Sequence, residues 1–155
     1  MAIPNYEDAI HSRLSGDSAL LAILTGGVLK YSALGKFDGG LNSLPASVKD
    51  SNGLLKPFSL VKTRALIPTG HVVVYESQYT TVEQTVEVWI YGEAYQSANT
   101  FENAANRIYS LLQFKPPAGA FDLQYSTFID LMRDPDMGNA RFTRHDYLIV
   151  GRIAP

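Results

Sequence analysis

The sequence predicts a single α+β domain spanning residues 1–155, a mixed or mostly antiparallel β-sheet with helices packed on one face. Three observations predict it. Two short helical patterns open the chain, alternating apolar and polar runs fill its middle and its end, and one strongly amphipathic helical segment separates the two sets of strands.

Ile3, Tyr6, Ile10 and Leu14 recur at helical spacing, with Pro4 acceptable only in a first turn and Asn5 able to cap, so a helix is expected over residues 5–14. Ser15 and Gly16 stop it. Asp17 caps a second short helix through Leu20, Leu21, Ile23 and Leu24, closed by Gly26 and Gly27. Val28 to Leu34 reads as a short strand. Gly35 to Lys56 then carries four Gly, one Pro, three Ser, two Asn and two Asp without sustained periodicity, which is loop chemistry. A loop of that length in a compact domain is a place to look for a partner contact, and its polar make-up suggests little contribution to the core. Lys36, Phe37, Lys49, Asp50 and Lys56 are its candidate contact residues.

Pro57 ends the loop and Phe58 to Arg64 resumes as a strand. Pro68 to Gly70 reads as a turn before HVVVYESQYT, a run of β-branched and aromatic residues. In VEQTVEVWIY, Val82, Val86, Val88 and Ile90 share one face and Glu83, Thr85 and Glu87 the other, the alternation of a half-buried antiparallel strand. Trp89 and Tyr91 interrupt the polar face. They suit capping the end of the sheet or meeting a neighbouring subunit, and both join the candidate interface. Residues 99–102, NTFE, have capping-box spacing and introduce Phe101, Ala104, Ala105, Ile108, Leu111 and Leu112 on one helical stripe, ended by Pro116 and Pro117. Phe121, Leu123, Tyr125, Thr127, Ile129 and Leu131 alternate with polar residues along a long strand. A turn at residues 133–139 and a last strand from Arg141 to Ile153 complete a terminal hairpin.

Composition removes several classes of function. The chain has no Cys, which excludes disulfide scaffolds, thiolate metal sites and cysteine nucleophiles. Its net charge of −2 is scattered rather than blocked, so it shows no footprint for gripping a duplex. No apolar run approaches the roughly 18 residues of a membrane span. His11, His71 and His145 are far apart in sequence and fall in no ligand spacing, and His145 and Asp146, adjacent on a strand, point to opposite faces. Asp130, Asp134 and Asp136 lie within one short stretch, but that stretch lacks the acidic last ligand of a calcium loop. Pairing with Arg133, Arg141 and Arg144 is the simpler expectation. Arg133, Asp134, Asp136 and Arg141 complete the candidate interface. No phosphate loop, GxSxG elbow or HExxH motif is present. The chain is therefore expected to work without a cofactor, a metal or catalytic residues.

The order and texture of the chain resemble the tail completion, or tail terminator, proteins of long-tailed bacteriophages and prophages. The resemblance rests on the opening helix followed by SALLAILTGGVL, the strand EQTVEVWIYGE, the helix FENAANRIYSLL and the closing hairpin MRDPDMGNARFTRHDYLIVGR. It spans most of the chain, and its motifs are structural rather than catalytic. It implies a non-enzymatic virion protein, made in the host cytoplasm, that closes into a ring, a hexamer, on the head-proximal end of a tail tube. Its partners would be copies of itself, the tail tube protein and the head connector or neck proteins. DNA would pass through the ring without being specifically bound. A head-side neck or adaptor protein that binds the portal complex is the related alternative. A small-molecule-binding module or enzyme with Trp89, Tyr91 or His145 at a pocket mouth is the alternative from another class, and it calls for an apolar pocket with convergent polar groups.

Overall fold

The structure, a computed structural model, describes residues 4–34, 41–74 and 77–153. The expected positions Ile3, Gly35, Lys36 and Phe37 lie outside the described residues.

The opening helices form where local chemistry favours them. In α1 (Tyr6–Ser15) the Asn5 side chain accepts from the Asp8 amide, and in α2 (Ser18–Ile23) the Asp17 side chain accepts from the Leu20 amide. Strand β1 (Val28–Lys30) is shorter than expected, because the chain turns into a 3-10 segment at Tyr31–Leu34. Three strands follow, β2 (Phe58–Thr63), β3 (Ile67–Val74) and β4 (Ser77–Gly92). The turn expected at Pro68 to Gly70 is instead a register shift inside β3. Among the described residues strand β3 pairs only with β4, so the missing N–H of Pro68 can face away from the ladder. Helix α3 (Ala98–Leu112) is capped two residues before the expected position: Ser97 Oγ accepts from the Asn99 amide at 3.2 Å. The closing hairpin joins β5 (Ala120–Asp134) to β6 (Ala140–Ile153). Its turn places Gly138 at φ 64°, a left-handed conformation that glycine adopts at least cost.

The sheet order is β1-β2-β4-β6-β5, with β3 pairing β4 off that path; β1 and β2 run parallel and every other pairing is antiparallel. All three helices cover one face. Val86, Val88 and Ile90 of β4 and Tyr147 and Ile149 of β6 are buried there against Ile10, Leu14, Phe101, Ala104 and Ile108. Each large apolar side chain buried in this way contributes about 1.5–3 kcal/mol. Tyr6 lies so close to β6 that a Cβ at Gly151 would sit 2.1 Å from its hydroxyl, so the helix reaches the sheet only because residue 151 has no side chain.

The second face is partly covered by the stretch that its composition marks as a loop. Leu44, Val48 and Leu55 are buried with Phe58, Tyr91, Met137 and Ala140 in a separate apolar cluster. The expectation that this stretch adds little to the core is corrected for residues 41–56. Two 3-10 turns, Leu41–Ser43 and Ala46–Val48, bring its few apolar residues to one side, and polar neighbours hide that pattern in the sequence. Asp50 Oδ1 accepts from the amides of Asn52 and Leu54 at 2.8 and 3.0 Å, and the Lys56 amide donates to the Val48 carbonyl at 2.9 Å. Leu55→Ala is therefore expected to destabilise the domain by about 2–5 kcal/mol, measured by denaturant unfolding, while Asn52→Ala at the exposed turn changes it little.

Candidate interaction surface

Strands β4 and β6 position the polar chemistry, because their ladder decides which side chains share a face. Glu87 lies opposite Asp146, Trp89 opposite Arg144 and Tyr91 opposite Phe142, all on the face away from the helices. Two acids directly opposite one another are unfavourable unless cations intervene. Two do. Arg64, just beyond β2, donates from Nε and a terminal nitrogen to Glu87 Oε1 at 3.1 and 2.9 Å, and it reaches Asp146 at 3.4 Å. Arg144 lies 3.5 Å from Glu87 and donates to Asp146 Oδ2 at 3.2 Å. Its Nε is 3.0 Å from Asp146 Oδ1 but is not aligned as a hydrogen bond. Glu87 and Asp146 are 5% and 2% exposed, and burial governs the chemistry of Asp146. It raises the Asp146 carboxyl above the usual carboxylate range, against the pull of Arg144, while the nearby Glu87 charge adds to the rise.

Next to this cluster the face becomes aromatic. Trp89 stacks on Tyr91 at 6.0 Å and packs against Phe142 at 5.3 Å, while Tyr91 stacks on Phe58 at 5.3 Å. The Arg144 guanidinium lies 5.4 Å from the Trp89 ring centre. The Tyr91 hydroxyl donates to Asp134 Oδ2 at 3.2 Å, and burial and the Asp134 charge push it well above the ordinary tyrosine range.

The described candidate residues therefore divide into three groups and one separate residue, Asp136. Trp89, Tyr91 and Asp134 converge on the second face, and Tyr91 is enclosed by the chain's own residues 44–58. Lys49, Asp50 and Lys56 belong to the stretch that covers this face: Lys49 bridges Leu55, and Asp50 and Lys56 close its turns. Arg133 and Arg141 are ladder partners on the helix-covered face, where Arg141 donates to the Gln96 carbonyl at 2.8 Å. Asp136 is exposed, and its amide donates to Asp134 Oδ1 in the hairpin turn. The expected pairing of Asp130, Asp134 and Asp136 with Arg133, Arg141 and Arg144 is corrected: Arg144 pairs with Glu87 and Asp146, Arg141 turns to the Gln96 carbonyl, and Asp134 accepts from the Tyr91 hydroxyl. The sequence offered one signal for this cluster, a Glu between two Val in a strand, and none for Arg64, which reaches it from another strand end. Among the described residues no group of three His, Cys, Asp or Glu is placed to hold a metal, and no helix is long and apolar enough to cross a membrane.

On the helix-covered face, α3 and the β5–β6 hairpin leave a groove of about 340 Å³ that continues into one of about 270 Å³. Phe101, Ala105, Phe128 and Leu131 make it apolar, and Glu102 and Asp130 add acidic groups. His145 lies within it, stacked on Phe128 at 6.2 Å, with Nδ1 3.1 Å from the Tyr125 hydroxyl. His145 Nε2 and Thr143 Oγ1 are buried without a hydrogen-bond partner. As the strand pattern requires, Asp146 faces the other way.

Burial lowers the His145 pKa below its ordinary value, although Asp130 pulls it upward. The neutral ring is favoured in the folded state, so its contribution to stability is complete above the unfolded pKa near 6.5 and is lost as pH falls from there through the folded value. His145→Gln is expected to flatten the decline in melting temperature that begins near that pH, seen as a difference between the two Tm–pH curves. On the opposite face, Arg144→Leu leaves two buried carboxylates short of a cation. It is expected to cost about 3 kcal/mol, roughly 6–12 °C in Tm, with partial recovery when Glu87→Gln is added.

No protein-family model matches the chain, and no curated protein matches it. The fold is similar to that of a solved chain described as belonging to the "Virion of native gene transfer agent (GTA) particle", with a TM-score of 0.58 and 11% identity. The match covers 95% of this chain and 94% of that one.

Proposed function

We propose that this chain is a structural component of a phage-like virion, and within it a tail terminator. It would form a ring, a hexamer, on the head-proximal end of the tail tube, stop tube growth and offer a surface to the head connector. The observation that carries this reading is the end-to-end fold likeness to a chain of a gene transfer agent virion, joined to the resemblance of the sequence to tail completion proteins. At 11% identity the likeness speaks for a shared fold, and the role comes from the two together.

The physical design suits assembly. One sheet face is covered by helices except at the groove beside β5, and the other presents a charged and aromatic surface only partly covered by the chain itself. A tube grows through heterologous contacts that never close, whereas a subunit whose own such contacts close into a ring can occupy the last layer and present nothing for the next. Geometry then ends growth without catalysis.

The reading as a small-molecule-binding module or enzyme has the α3–β5 groove in its favour, since His145, Tyr125 and Thr143 meet apolar walls there. Trp89 and Tyr91, expected at the same mouth, lie on the opposite face. The two readings separate in electron microscopy of tails assembled with and without the protein. The terminator reading expects overlong tubes that fail to join heads when it is missing. Tubes of normal length that join heads in its absence end that reading.

A further inference from the structure

Strand β5 lies at one end of the sheet order and, among the described residues, pairs with no strand but β6. An outer strand of this length exposes a row of unpaired backbone groups, a hazard that proteins limit by bulges, charges or pairing. This strand has register shifts at three places and still carries Phe121, Phe128 and Met132 at 54%, 55% and 53% exposure. Near the start of the strand the chain's own residues take the edge, the Phe114 amide donating to the Leu123 carbonyl and the Tyr125 amide to Gln113 Oε1. The C-terminal half, where Phe128 and Met132 face solvent, is the part open to another strand.

The charges on that edge select the partner. The shift between Ile129 and Met132 sets two residues, Asp130 and Leu131, against the single Thr143 of β6. Without the extra residue Asp130 and Arg133 would point to opposite faces. With it, both lie on the face of the α3 groove, where Asp130 contributes to the lining and Arg133 stands opposite Arg141. Asp130 and Arg133 are both exposed. Two copies of β5 running antiparallel about Met132 would therefore place each Asp130 against the other copy's Arg133, while the two Met132 side chains meet on the opposite face. Centring the pair on the bulge instead would set Asp130 against Asp130, which is unfavourable.

We propose that two copies of this chain pair antiparallel along β5 about a two-fold axis at Met132, held by reciprocal Asp130–Arg133 ion pairs and a shared sheet. Such a contact is isologous and closes on itself, so it builds neither a ring nor a filament. It is the form in which the free chain covers its apolar edge. The pairing is independent of the terminator reading, and each can fail without the other.

The test is sedimentation equilibrium of the purified chain over a concentration series, with circular dichroism to confirm that each variant is folded. The wild type is expected to dimerise reversibly. Asp130→Arg and Arg133→Asp are each expected to weaken the dimer about tenfold or more, because each turns two attractive contacts into two repulsive ones. The double variant D130R/R133D restores the pairs and is expected to return to within about threefold of the wild type. The chain has no cysteine, so Met132→Cys introduces its only thiol. Opposed Cα atoms in an antiparallel pair lie about 4.5–5.5 Å apart, within disulfide reach. Mild oxidation should cross-link Met132→Cys and leave Phe121→Cys, farther along the strand, uncross-linked. A wild type that stays monomeric throughout the series overturns the proposal. So do single swaps that dimerise like the wild type, a double swap without recovery, or cross-linking of Phe121→Cys as readily as Met132→Cys.

Discussion

The ladder between β4 and β6 has to satisfy two different media at once, and the rest of the molecule is arranged around that constraint. On one side of it Val86 meets Tyr147 and both are sealed under helices. One residue along, Glu87 meets Asp146 on the other side, where two carboxylates are nearly buried. The strand period makes these placements inseparable, since a slip of one residue would bring the acids under the helices and the valines into the charged layer. Register is therefore specified from both faces, by apolar packing on one and by Arg64 and Arg144 on the other.

That double specification explains why the covering layers differ. The helical layer is thick and regular because it need only exclude water from aliphatic side chains. The opposite layer is made of 3-10 turns and short bridges that cover Phe58 and Tyr91 at one end and leave Arg64 about half exposed at the other. The Trp89–Arg144 contact marks the boundary, with the guanidinium serving Asp146 on one side and lying near the indole ring on the other. A buried ion cluster of this kind contributes little net stability compared with a hydrophobic equivalent, but losing one member is costly. Its effect is to make one register far better than its neighbours.

The elements with strong local patterns were legible in the sequence: α1 and α2 through their Asn5 and Asp17 caps, α3 through its apolar stripe, and the terminal hairpin through its turn residues. Boundaries that depend on partners were not. The turn expected at Pro68 became a register shift because β4 extends back to Ser77 and supplies a longer template. The core role of Leu44, Val48 and Leu55 was hidden because three apolar residues scattered among polar ones have no period, and only the aromatic face beneath them makes their burial worthwhile. The same limit applied to the candidate surface. Trp89, Tyr91 and Asp134 could be singled out one by one, but Arg64, Glu87, Arg144 and Asp146 form a unit only after three separate stretches are brought side by side, and no spacing within any one of them records it.

The bulged edge strand shows how an irregularity can be informative. In an ideal strand Asp130 and Arg133, three residues apart, would face opposite sides and could not belong to one surface. The extra residue opposite Thr143 rotates one of them into line, and both bulge residues, Asp130 and Leu131, line the groove beside α3 that holds His145. A regular β5 would pack its alternating residues more evenly and present a flatter edge, open to any extended chain. The bulge exchanges that general adhesiveness for an edge whose charges suit one arrangement and penalise others.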